Sequence, residues 1–182
     1  IDAKTRKYIK AISLESSKIN SIANFVTKAN FNLKASEIKT DLIDFIIDYI
    51  DEIYLLDDHV IDTSMDIIIN NSYGGIFEKA IRPLEITTIV DNLISNAEKA
   101  KSSTLKLSFD NDNDDLLITF EDNGIGISEK HMKQIYDLGF TTTNGSGIGL
   151  FQVNDLVRKN LKGELSVNSQ LEKGTTFKIK LS

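Results

Sequence analysis

The sequence predicts a two-layer α/β sandwich of the α+β kind: a mixed, mostly antiparallel sheet packed against helices, preceded by an N-terminal helix. Three observations lead there. Two strand–turn–strand patterns lie at 104–121 and 163–181, and helical patterns interleave with them along the chain. Leu105, Leu107 and Phe109 alternate with polar residues, as on a strand with one face in a core.

Taken in order, residues 1–30 contain no Gly or Pro and read as helix. Tyr8, Ile12, Glu15, Ile19, Ile22, Val26 and Ala29 fall at alternating spacings of four and three. Apart from Glu15 this is the seam of a helix that packs on other helices, or of one lying on its own domain. Residues 36–40 suit a short strand, and Asp41 can cap a helix running to about Leu56, whose apolar residues share one face. Residues 65–69 are a β-branched strand and 70–75 a loop. Pro83, the only proline, suits the first turn of a helix that continues to about Ala100. Strands at 104–109 and 116–121 flank an acidic turn, 110–115. A glycine loop, a short helix near 128–137, a second glycine loop and a helix over 147–161 follow. Strands 163–169 and 175–181 close the chain around a turn at 172–174. The division is a helical segment, 1–35, and a larger domain, 36–182.

Composition narrows the function classes. Of 182 residues, 41% are hydrophobic and 26% charged, ordinary for a globular protein. The net charge of −6 argues against nucleic acid, whose phosphates demand clustered Lys and Arg. With no cysteine, zinc–thiolate sites and thiol catalysis are excluded. Leu42 to Leu56, the most apolar stretch, is broken by Asp44, Asp48, Asp51 and Glu52, so no membrane span is expected and a cytoplasmic setting is. The chain starts at Ile1, which suggests part of a longer protein, one that could be membrane-attached.

Three segments carry candidate chemistry. On the helix after Pro83, Asn92, Asn96 and Lys99 are spaced four and three apart and share a face. A carboxamide oxygen can ligate Mg²⁺ and a lysine can offset phosphate charge, although a polar solvent-facing stripe has the same pattern. After a strand comes Glu121-Asp122-Asn123-Gly124-Ile125-Gly126-Ile127. Its glycines permit sharp bends and the close approach of a flat ligand, and Asp122 can accept from an exocyclic amine; an Asp-Asn-Gly turn reads alike. The third segment runs from Phe140 through three threonines to Gly145-Ser146-Gly147-Ile148-Gly149-Leu150 and into a helix, where backbone N–H groups can meet phosphate. It is neither a dinucleotide fingerprint nor a P-loop, since no Gly-Lys-Ser/Thr occurs.

In this order the segments resemble the GHKL ATPases (gyrase, heat-shock chaperone, histidine kinase, mismatch-repair ATPase), and within them the sensor histidine kinases. DNLISNAEKA resembles their asparagine box, EDNGIGI and GSGIGL their two glycine boxes, LGFTTT their phenylalanine box and GTTFKIKL their closing hairpin. The resemblance spans about 36–182 and implies the family's sandwich fold. It implies that Asn96 ligates Mg²⁺, that Asn92 supports the phosphates or metal shell, and that Lys99 lies near the phosphates. Asp122 would bond the adenine amine beside Gly124, Gly126 and Ile127. Residues 128–145 would form a lid pinned by Phe140, with Thr141 and Thr142 beside it. Gly145, Ser146, Gly147, Ile148, Gly149 and Leu150 would hold the phosphates, and Thr176 of the hairpin would complete the ATP set.

Two departures stand out: Ala100 occupies a position that is often aromatic in such kinases, and no Arg or Lys lies between Phe140 and Gly149. Hydrolysing members carry a glutamate base one turn before the metal-binding Asn. Asn92 stands there, and an amide cannot take a proton. Phosphoryl transfer to histidine, itself a nucleophile when neutral, is therefore the leading expectation. Alternatives are an ATP-sensing interaction module, an ATPase or a serine kinase. His59 and His131 both read as surface histidines, so the acceptor is expected on an upstream helix, with 1–30 as the second dimerisation helix of a homodimer. A response regulator and upstream sensor domains are the implied partners. Asp110, Asp112, Asp114 and Glu121 match a calcium loop's spacing, but Asp115 replaces its glycine and a hairpin turn fits better.

Overall fold

The computed structural model describes residues 37–55, 65–141 and 147–182, with a few helical positions among the first sixteen. Of the N-terminal seam it includes Tyr8 and Ile12, both exposed; the remaining seam positions lie outside the described residues, as does His59.

The chain enters through β1 (Ile38–Asp41) and turns directly into α1 (Leu42–Ile50). Asp41 caps that helix, its carboxylate accepting from the Ile43 N–H at 2.9 Å. The helix continues as a π-helical turn, Asp51–Leu55. Next come β2 (Asp66–Asn71) and β3 (Glu78–Ile81), then α2 (Pro83–Lys99) with Pro83 in its first turn, as expected. The hairpin β4 (Thr104–Asp112) and β5 (Asp115–Asp122) precedes a single helical turn, α3 (Glu129–Met132). Helix α4 (Gly149–Asp155), extended by a π-helical turn over Leu156–Asn160, leads to β6 (Glu164–Gln170) and β7 (Gly174–Leu181).

The main sheet has the order β2-β4-β5-β7-β6, antiparallel except for the parallel β2–β4 pair. That matches the expected mixed, mostly antiparallel sheet. The small pair β1–β3 was not foreseen: Glu-Lys-Ala-Ile has little strand propensity, and its pairing comes from the tertiary partner β1. The turn expected at 110–115 is tighter than that. Asp112 pairs with Asp115, and only Asn113 and Asp114, at φ +56° and +72°, make the reversal. Lys180 bridges the flanking carboxylates of Asp112 and Asp115, at 2.7 and 3.2 Å, so the acidic hairpin is charge-compensated. No group of three acidic or His side chains among the described residues could hold a metal.

One face of the sheet is buried by the helices. Leu105, Leu107 and Phe109 of β4 and Leu116, Ile118 and Phe120 of β5 meet Ile86, Val90, Leu93 and Ile94 of α2 and Val153 and Val157 of the α4 region. Burying each such side chain contributes about 1.5–3 kcal/mol. This core holds the apolar face of α2, which leaves its polar face, with Asn92, Asn96 and Lys99, to line a cleft. No helix of the described residues is long and apolar enough to cross a membrane.

Candidate nucleotide-binding site

The polar face of α2 and the C-terminal end of β5 meet through the backbone. Beyond Lys99 the helix unwinds at Ala100, and Lys101 takes a left-handed φ of +59°. The Ile125 N–H then donates to the Ala100 carbonyl at 2.9 Å, and Ser102 N–H to Ala97. The loop after β5 thus satisfies a carbonyl at the helix end. Asn123 clamps the other side, its Oδ1 accepting from Ser103 N–H and Thr104 N–H at 2.9 and 3.0 Å.

Between these segments lies a cavity of about 190 Å³. Asn92, Asn96 and Lys99 line it from α2, Asp122 from the end of β5, and Gly126 and Ile127 from the loop that follows. Phe140 and Thr141 come from the segment after α3, and Gly147, Gly149 and Leu150 from the start of α4. Three stretches far apart in sequence therefore converge on one cleft.

The geometry assigns each side chain a task. Asp122 is buried, and its Oδ1 accepts from Gly124 N–H at 2.8 Å and from the Ser102 hydroxyl at 3.1 Å. Both bonds orient the carboxylate, and neither of them uses its second oxygen. Asn92 donates its Nδ2 to the Thr88 carbonyl at 2.8 Å, which points Oδ1 away from its own helix. A Cβ on Gly149 would lie 2.5 Å from that oxygen, so glycine is what lets α4 start against α2. The Asn96 Nδ2 is buried without a hydrogen-bond partner among the described residues, a costly condition unless a ligand engages the amide. Gly147, at φ +70°, packs on the backbone of Gly139 and Phe140, and its carbonyl accepts from Gly139 N–H at 3.0 Å.

Several expected site residues sit elsewhere. Gly124 does not line the cleft; it packs against Ala100 and Ser102, where a side chain would collide. Ile148 is 47% exposed and outside the lining. Thr176 faces the outer side of the sheet, because side chains alternate along β7, and its neighbour Thr175 faces the cleft. Thr142, Gly145 and Ser146 lie outside the described residues. His131 is partly exposed, its ring 5.5 Å from that of Phe140. Sequence reasoning missed Ile125, Ile135, Thr175 and Phe177 as cleft residues. The alternation on β7 that buries Phe177 and Ile179 was the available signal for Thr175.

Residues 81–182 match the family described as histidine kinase-, DNA gyrase B- and HSP90-like ATPases. The chain belongs to that ATPase family. The ATPase domain is 34% identical over 111 residues to a probable C4-dicarboxylate sensor kinase of Bacillus subtilis, covering 57% of this chain and 21% of that protein. A protein of the same description from Halalkalibacterium halodurans is 39% identical over 105 residues, or 53% of this chain and 20% of the relative. The histidine protein kinase SaeS of Staphylococcus aureus is 32% identical over 108 residues, 54% of this chain and 30% of SaeS. The chain spans between a fifth and a third of the length of these relatives.

Two solved structures share the fold of the ATPase domain. One is the catalytic domain of the histidine kinase ThkA, with a TM-score of 0.65 at 17% identity over 80% of this chain and 96% of that one. The other is the mycobacterial sensor histidine kinase MprB, with a TM-score of 0.62 at 18% identity over 80% and 96%.

Proposed function

We propose that this ATPase-family domain is the catalytic, ATP-binding part of a sensor histidine kinase and transfers the γ-phosphoryl group to a histidine on a helix outside the chain. The observation that carries the proposal is the placement of Asn92, where a hydrolysing enzyme needs a base, inside a cleft shared with Asn96 and Asp122. Among the described residues the cleft is lined by no titratable side chain other than Lys99 and Asp122, and Asp122 is engaged with Gly124 and Ser102. Neither is placed to deprotonate water, whereas a neutral imidazole needs no such help.

In the proposed transfer, an imidazole nitrogen forms a bond to the γ-phosphorus as the bond to the β–γ bridging oxygen breaks. ADP leaves with that electron pair, and the ring loses its other N–H proton to solvent. The chain's own contribution is positioning and charge. Asp122 would hold the base, Lys99 would offset phosphate charge, and Gly147, Gly149 and Leu150 would border the phosphate end. Asn96 and Asn92 both line the cleft, and Asn92 Nδ2 is held by Thr88, so their carboxamide oxygens suit a hard cation, which takes neutral oxygen ligands. Mg²⁺ held there would neutralise polyphosphate charge. The segment 1–35 would serve as the second dimerisation helix, and a response regulator would receive the phosphoryl group.

The test is calorimetric titration of the full chain with ATP at fixed Mg²⁺. Binding should be Mg²⁺-dependent and collapse in Asn96→Ala and Asp122→Ala while circular dichroism shows a retained fold. Unchanged binding in both variants would overturn the proposal. In the full-length parent, the phosphorylated product should be labile to acid, and acid-stable phosphate would favour a serine kinase.

A further inference from the structure

Ser169, on β6 behind the cleft wall, belongs to none of the motifs read in the sequence, yet its hydroxyl is a node of three contacts. Oγ accepts from the Ile127 N–H at 2.7 Å, lies 2.9 Å from the Gly174 carbonyl oxygen, and is 3.0 Å from Thr175 Oγ1. A hydroxyl has one proton and two lone pairs. The Gly174 carbonyl can only accept, so it takes the Ser169 proton. Ile127 N–H occupies one lone pair, and Thr175 must donate to the other. The Thr175 proton is thereby committed, and Oγ1 offers the cleft lone pairs alone.

Thr175 is 5% exposed and pairs with Asp122 across β5 and β7, and both line the cleft. An ionised carboxylate is likewise acceptor-only. The two polar side chains at this end of the cleft therefore both ask for donors. We propose that Ser169 is a positioning residue that sets base specificity: by holding Thr175 as an acceptor, it makes the cleft select a base with an exocyclic amine over one with a carbonyl there. A buried polar site rejects the ligand that leaves its groups unpaired far more strongly than an apolar wall rejects a wrong shape. The inference rests on the nucleotide-binding reading above and adds to it a residue that touches no ligand.

The test compares the affinities of ATP and GTP, each with Mg²⁺, in the full chain and in Ser169→Ala, Ser169→Thr and Thr175→Val. Without the serine hydroxyl, Thr175 can turn its proton into the cleft, and the ATP-to-GTP affinity ratio should fall about tenfold. Ser169→Thr keeps a hydroxyl and should restore the ratio. Thr175→Val should lower the ratio on its own, and adding Ser169→Ala to it should change the ratio no further. A purely structural serine would weaken both nucleotides in parallel. That outcome, or an unchanged ratio in Ser169→Ala and Thr175→Val, overturns the inference alone, whereas failure of the unaltered chain to bind ATP overturns the nucleotide-binding reading and the inference with it.

Discussion

Tyr54 donates its phenolic proton to Asp91 Oδ1 at 2.6 Å, tying the π-helical end of α1 to the residue immediately before Asn92. Tyr49 donates to the same oxygen at 2.8 Å, and the two rings meet edge to face with centroids 6.4 Å apart. Both tyrosines are buried. Asp91→Ala would leave two buried hydroxyls without this acceptor, so a loss of about 2–4 kcal/mol is expected in urea unfolding. Tyr54→Phe removes donor and penalty together and should cost only about 1 kcal/mol. Since Asp91 ties α1 to α2 beside Asn92, ATP affinity should fall further in Asp91→Ala than in Tyr54→Phe.

The same network makes stability sensitive to alkali. Burial first, and then the charge and hydrogen bond of Asp91, push both phenols far above their ordinary value of 10.0. The folded chain therefore keeps two protons that the unfolded chain releases above that value. Stability then declines as pH rises, because the unfolded state binds fewer protons. The contribution is complete below pH 10 and should shrink steadily above it. Thermal midpoints measured from pH 8 upward should show this decline, and Tyr49→Phe with Tyr54→Phe should flatten it.

Much of this arrangement was legible in the sequence because it is local. The cap at Asp41, Pro83 at the start of α2 and the i, i+4, i+7 row of Asn92, Asn96 and Lys99 need only the geometry of one helix. What escaped depends on distant partners. Strand β3 exists because β1 pairs with it, and the role of Gly124 is packing against Ala100 and Ser102, remote in sequence from it. Thr176 was preferred to Thr175 because a motif marks a stretch, while strand alternation decides which residue in it faces the cleft.

Gly147 offers a test of how the start of α4 is fixed. At φ +70°, a side chain is strained by roughly 1–2 kcal/mol, and a Cβ there would run into the backbone of Gly139. Gly147→Ala should therefore separate α4 from the segment carrying Phe140, which both line the cleft. The expected result is a tenfold or greater loss of ATP affinity with the sheet core intact, since that core does not contain Gly147. Hydrogen exchange should show faster opening around 139–149 and unchanged protection in β4, β5 and β7.

Asn96→Ala separates function from stability most cleanly. The amide nitrogen of Asn96 is buried without a partner among the described residues, so the folded chain carries an unsatisfied donor in the last turn of α2. Alanine removes that donor and is the better helix former by about 0.5 kcal/mol. A residue retained only for structure should destabilise the fold when truncated. Here the midpoint of urea unfolding should instead stay level or rise, while Mg²⁺-dependent ATP binding falls by at least about tenfold. The wild-type chain should also gain more stability from Mg²⁺ and ATP together than from either alone, as expected when ligands bind only the folded state. Loss of stability in Asn96→Ala with ATP binding intact would instead make Asn96 a structural residue and remove the amide from the site.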